Sequence, residues 1–199
     1  MKKRRKHFLR FSLLAAWLAV VSAGMAGLMR YSAKPGTPPR DPTAWPSEWE
    51  LRPQPSGTTL VVALHPRCAC SRATLGELAQ LMTQNANGVR AYVLMIRPDG
   101  TPDGFEHSPL WDLAATIPSV TVIADPGGRL ASRLGAETSG QTYAFNSEGK
   151  LLFAGGVTPA RGHMGDSAGA DALTAILLRE TPRAARTEVF GCPLRGSEP

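Results

Sequence analysis

The sequence predicts an α/β domain behind an N-terminal membrane-spanning helix. Three short runs rich in β-branched and aliphatic residues, TTLVVALH (58–65), VRAYVLMIRP (89–98) and SVTVIADP (119–126), have the length and composition of buried strands. Between the first two, Leu75, Leu78, Leu81 and Met82 recur at helical spacing. Ahead of all of them stands an uncharged apolar run, FSLLAAWLAVVSAGMAGLM (11–29).

As a helix that run is about 28 Å long, enough to cross a bilayer. Lys2, Lys3, Arg4, Arg5, Lys6 and Arg10 precede it, and only Arg30 and Lys34 follow closely. The asymmetry is expected to hold the N-terminus in the cytoplasm and to place the remainder on the extracytoplasmic, periplasmic side of the cell membrane. Val21-Ser22-Ala23 and Gly24-Met25-Ala26 offer the small residues that a signal peptidase accepts. The run nevertheless exceeds a usual signal core and no strong turn residue precedes either site, so a retained single-pass signal-anchor is expected. Arg4-Arg5 make a poor twin-arginine signal, because Lys6-His7 separates them from Phe8-Leu9.

Charge changes its meaning once residues 1–34 are set aside. The formal charge is +6, but this segment holds 8 of the 22 basic residues and none of the 16 acidic ones, so residues 35–199 carry 14 basic against 16 acidic groups. A net charge of −2 does not support a nucleic-acid-binding face, which needs basic residues clustered on the folded domain. Residues 35–56 contain seven prolines and read as an extended spacer. Trp45 and Trp49 are expected to hold part of it against the domain or the lipid interface. Residues 57–180 suffice for one modest core, and residues 181–199 form a tail carrying Cys192.

Within the core, the strand at 58–65 feeds a helix at 71–85, and the strand at 89–98 is followed by a weaker helix around 105–116. The strand at 119–126 ends at the Gly127-Gly128 turn. QTYAFNSEGKLLFAGGV (141–157) reads as a hairpin turning at residues 147–149, and Asp166 is placed to cap a last helix running through Arg179.

The chain's three cysteines are Cys68, Cys70 and Cys192. HPRCACSRATLGEL (65–78) puts two of them one residue apart where the first strand runs into its helix. A redox pair, a soft-metal site or two buried thiols are the candidate explanations. This element order, with cysteine at the first strand-to-helix junction, resembles the thioredoxin-like fold, a central mixed sheet flanked by helices, over residues 57–180. The anchor, the spacer, ADPGGRLASRLGAETSG (124–140) and YAFNSEGKLLFAGG (143–156) resemble membrane-tethered thiol-disulfide proteins of the TlpA type and the related peroxiredoxins. HPRCACSRA, GGVTPARGHMGD and FGCPL together resemble the bacterial RedB-like group.

The sequence departs from that pattern at two points. Where the family motif is Cys-x-x-Cys, Ser71 stands three residues after Cys68 and the extra thiol is Cys70. Where the resemblance implies a cis-proline before the hairpin, the chain has Gly140, which keeps backbone access without fixing an isomer.

Cys68 at a helix N-terminus is expected to be reactive, because unpaired amide N–H groups and the helix dipole favour thiolate. Arg67 and Arg72 add positive charge, and His65 is near enough to orient or exchange a proton, or to serve structurally. Cys70 can form a strained, easily reduced bond with Cys68, or point away and leave Cys192 as the partner. The resemblance further implies that the loop GGVTPARGHMGDSAG (155–169) borders the active cysteine, bringing Arg161 and His163 toward it. Arg161 would favour a thiolate or an anionic substrate, and His163 would move a proton or bind metal.

The expected function is thiol-disulfide oxidoreductase, with protein thiols or disulfides, a small thiol or a peroxide as partner and no cofactor. Peroxide reduction is the weaker variant, since His65 stands where typical peroxiredoxins carry threonine. Two alternatives remain open: a copper or zinc carrier using Cys68, Cys70 and one of Cys192, His65 or His163, and a tethered scaffold without chemistry.

Overall fold

The computed structural model describes residues 2–40, 44–47, 49–85 and 88–195. Residues 41–43 and 48 of the expected spacer and 196–199 of the expected tail lie outside them. The chain divides into two compact units, Met1–Lys34 and Pro35–Pro199.

The first unit is one helix, α1 (Lys2–Ser32). Its 23-residue stretch Arg10–Ser32 is long and apolar enough to cross a membrane, and Phe11, Trp17, Leu28 and Met29 are exposed along it. Such side chains need an apolar surrounding that the helix itself does not supply.

In the second unit, β1 (Thr58–Leu64) leads into α2 (Ala69–Gln84), then β2 (Val89–Arg97), α3 (Pro109–Ala115), β3 (Val120–Pro126), α4 (Arg129–Arg133), β4 (Gln141–Phe145), β5 (Leu151–Gly155) and α5 (Ala168–Leu177). The five strands form one sheet in the order β3-β2-β1-β4-β5. β1 pairs in parallel with β2, and β2 with β3, while β4 runs antiparallel to both β1 and β5. The parallel half followed by a hairpin, with helices on the faces, is the thioredoxin-like fold.

The central strand β1 is buried on both faces, and its period of two sends alternate residues to different layers. Leu60, Val62 and Leu64 pack with α2, α3 and α5 on one face; Val61 and Ala63 pack with Trp49, Tyr92, Leu134 and Leu194 on the other. This second layer explains where the Pro-rich segment goes. Trp49 is 3% exposed, and Trp45 meets Trp49 and Phe145 edge-on, at ring-centroid distances of 5.3 and 5.2 Å. Thr37 O accepts from Thr138 Oγ1 and Gln141 Nε2, and Arg40 N–H donates to Gly135 O.

Several boundaries differ from the sequence reading. α2 begins at Ala69, two residues earlier than expected, which makes Cys68 its N-cap residue and puts Cys70 in its first turn. The helix expected at 105–116 shrinks to Pro109–Ala115: Pro109 suits a first helical turn, and residues 102–107 turn instead, with Phe105 N–H bonding Pro102 O. α5 is capped by Ser167 rather than Asp166, the serine Oγ accepting the Ala170 N–H at 3.1 Å. The short α4 is an addition. It is nucleated by Asp125, whose carboxylate accepts the Leu130 and Ala131 N–H groups at 2.9 Å each across the Gly127-Gly128 turn. Burial pushes the Asp125 carboxyl upward, against the pull of those N–H groups.

Candidate thiol site at the first strand-to-helix junction

The site is built where β1 ends. Cys68 N–H donates to His65 O at 3.2 Å and Arg67 N–H to His65 Nδ1 at 3.3 Å, so that His65-Pro66-Arg67 turns the chain into α2. Cys68 keeps an extended conformation, with φ −86° and ψ 123°, and sits ahead of the unpaired N–H groups of the first helical turn.

Ser71, at the position of the second cysteine in Cys-x-x-Cys, is completely buried. Its hydroxyl donates to His65 O at 2.9 Å, so the 2.8 Å contact with Ser139 Oγ is donated by Ser139. Ser139 Oγ in turn accepts the His65 N–H at 2.9 Å. The two hydroxyls tie the junction to the segment before β4 and leave the thiol chemistry to other residues. Gly140 stands beyond them with φ 97°, its N–H bonded to Ala63 O at 2.8 Å, and none of the described residues has a cis peptide bond.

The tail closes the site. Residues 185–188 run along β5, with Ala154 N–H donating to Ala185 O and Gly156 N–H to Glu188 O. The chain then pairs antiparallel with the segment before β4: Ser139 N–H donates to Cys192 O at 2.8 Å and Leu194 N–H to Glu137 O at 2.9 Å. Leu194 is completely buried, and Arg195 pairs with Glu137 at 3.2 Å. Arg161 Nη1 donates to Gly191 O at 2.6 Å.

This docking places Cys192 Sγ 2.8 Å from Cys68 Sγ. The distance lies inside an ordinary non-bonded contact, and a shift of about 0.8 Å would reach the covalent S–S length. All three sulfurs lie within 4.8 Å of one another. Cys68 and Cys70 are buried and Cys192 is half-buried.

Charge is distributed unequally among them. Contact first with the Cys192 sulfur and then with the Cys70 sulfur lowers Cys68 below the usual thiol range, against a smaller opposing effect of burial. Cys192 is driven upward, first by the Cys68 sulfur it bonds, then by Cys70 and burial. Cys70 is pulled down by the Cys192 sulfhydryl and less by the Arg161 charge, but the Cys68 sulfur and burial outweigh them and its net direction is up. The shifts point the same way: of the three thiols Cys68 is favoured for the negative charge, while Cys70 and Cys192 are pushed toward keeping their protons.

The three cysteines thus come together, and Arg161 joins them through the tail and through its charge on Cys70. The two histidines do not enter the sulfur cluster. His65 is 5% exposed and packs edge-on against Phe105, with ring centroids 6.0 Å apart. His163 is exposed and its Nδ1 lies 2.7 Å from Arg161 O. Leu194 and Phe190 are the tail's apolar docking signals in the sequence, and Leu194 is buried; Ser139 and residues 137–138 went unread as the segment on which it docks. Phe105, which stacks beneath Arg67 at 4.1 Å, was also missed.

Among solved structures, the chain is similar to a hypothetical protein of Sinorhizobium meliloti, at 18% identity and a TM-score of 0.59 over 82% of this chain and 94% of that one. It is similar to an uncharacterised conserved protein of Geobacillus kaustophilus at 15% identity and a TM-score of 0.58, over 83% and 92%. A thioredoxin-like protein in its oxidised form, solved in solution, shares 13% identity with a TM-score of 0.49, over 75% and 97%. No family model and no curated protein matches the chain.

Proposed function

We propose that this chain is a membrane-tethered, extracytoplasmic thiol-disulfide oxidoreductase of TlpA-like type whose working couple is Cys68 and Cys192. The observation that carries this reading is the 2.8 Å approach of the Cys68 and Cys192 sulfurs at the N-terminus of α2; the lowering of Cys68 and raising of Cys192 agree with it. The Cys68 thiolate attacks one sulfur of a partner disulfide and forms a mixed disulfide; the partner's other sulfur leaves and takes the Cys192 proton. Cys192, now a thiolate, attacks Cys68 Sγ, breaks the mixed disulfide and releases the second partner thiolate, leaving Cys68–Cys192 oxidised. Two electrons pass to the partner. Cys70 stays a thiol and hydrogen-bonds the charge on Cys68.

Trapping tests the assignment. Cys192→Ala is expected to accumulate a mass adduct on Cys68 when reduced full-length chain in detergent meets a disulfide, whereas Cys70→Ala is expected to run through to the internal disulfide. An adduct accumulating in Cys70→Ala instead would make Cys70 the resolving group.

The sulfur triangle also supports a second reading, a soft-metal carrier. Three thiol sulfurs within 4.8 Å suit a trigonal Cu(I), whereas tetrahedral zinc needs a fourth ligand and neither histidine joins the cluster. Copper competition against a Cu(I) chelator, under reduction, tests it: this reading requires each of the three cysteines for tight binding.

A further inference from the structure

We infer that the partner of this site is a small disulfide or thiol bearing a negative charge, which reaches Cys68 through a cationic cleft opposite the tail. The inference rests on the thiol-disulfide reading above and names its substrate class.

The tail excludes one approach. Cys68 is 2% exposed, and the side facing the segment before β4 is taken by Cys192 and its neighbours. The Ser139 N–H and Glu137 O, which could pair with an incoming extended polypeptide, are already bonded to Cys192 O and Leu194 N–H. Leu194, fully buried, and the Arg195–Glu137 pair fasten that segment in place.

A second approach is open. A cleft of about 480 Å³ lies beside Cys68, and Arg67, Arg72, Phe105, His107 and Ser108 are among the residues that line it. That volume lies within the range of small-molecule sites. Among the described residues no acidic one lines it, although residues 35–199 as a whole carry net negative charge. Arg67 rests its guanidinium face on the Phe105 ring at 4.1 Å, which fixes the group while its N–H edge remains able to donate. Arg67 and Arg72 form no ion pair with any described carboxylate. Two guanidinium groups without an ion-pair partner among the described residues and an aromatic wall beside Cys68 suit a carboxylate-bearing disulfide: the carboxylate meets the arginines and one sulfur meets Cys68 Sγ. The exchange then follows the two steps given above, releasing two small thiols per Cys68–Cys192 disulfide formed.

A charge series tests this. Reduced full-length chain in neutral detergent is mixed with dithiodipropionate (dianion), bis(2-hydroxyethyl) disulfide (neutral) or cystamine (dication). Formation of the internal disulfide is followed by mass after acid quench, and each rate is referred to the same reagent's rate with a free thiol. The dianion is expected to exceed the dication by about tenfold or more at low ionic strength, and the gap should shrink with added salt. Replacing both exposed arginines, Arg67→Ala with Arg72→Ala, is expected to slow the dianion about tenfold while changing the neutral reagent less than about twofold. An equal slowing of all three reagents would show that the arginines act only on the thiolate and would overturn the cleft assignment. So would the absence of charge preference, or faster oxidation by a scrambled-disulfide polypeptide, which would mean that the tail yields. Failure of every disulfide to oxidise Cys68 would instead overturn the oxidoreductase reading on which the inference depends.

Discussion

At the scale of single residues, the site is a problem in where one negative charge rests. Cys68 alone would gain modestly from the helix N-terminus; the larger effect here is the contact with two neighbouring cysteine sulfurs, Cys192 first and Cys70 second. Because one contact lowers Cys68 and raises Cys192, its stabilisation of the reduced fold is greatest near the ordinary thiol pKa and declines as pH moves away from it on either side. A reduced state stabilised in this way makes the couple more oxidising. We predict that Cys192→Ala moves the midpoint of the Cys68 alkylation profile upward, toward the ordinary thiol range, and that Cys192→Ser, which restores a donor, moves it less. A midpoint unchanged in both variants would show that Cys192 does not hold the charge. The sequence carried part of this: CAC at a strand-to-helix junction is legible because helix N-termini favour thiolates whatever the tertiary context. The buried role of Ser71 was not legible, since it depends on Ser139, brought alongside by β1–β4 pairing.

At the scale of elements, the tail is what completes the site. It crosses from β5 to the segment before β4, and small residues permit its close approach at both places. A methyl group on Gly156 would stand 2.6 Å from Glu188 O, and one on Gly191 would stand 1.9 Å from Ser139 O. Gly191→Ala is therefore expected to push the tail off this edge, lower stability by roughly 1–3 kcal/mol, and reduce formation of the Cys68–Cys192 bond. Thermal unfolding, with disulfide mapping of the same protein, checks both effects; unaltered pairing at unaltered stability would mean that the tail is not held as described. Hydrophobic periodicity made β1, β2, β3, the hairpin and α2 legible within a few residues. α4 and the tail escaped it because neither is specified by its own pattern. Asp125 caps α4 from before the glycine turn, and the tail takes its hydrogen bonds from β5 and residues 137–139.

At the scale of the whole chain, a basic N-terminal segment precedes a helix able to cross a membrane, and a separate unit carries the thioredoxin-like fold. An alkaline phosphatase reporter fused after Ser56 in a bacterial host is expected to be active, and a reporter requiring the cytoplasm to be inactive; the reverse pattern would invert the orientation drawn from the basic residues. The proposed extracytoplasmic location bears on the cysteines, since three of them leave one thiol outside any single internal bond. Peptide mapping after equilibration in thiol buffers of graded potential tests the central claim most directly. The account predicts that a Cys68–Cys192 linkage rises through one two-electron transition while Cys70 remains open to alkylation throughout. A Cys68–Cys70 linkage across that transition, or a Cys192 linkage present unchanged at every potential, would contradict it.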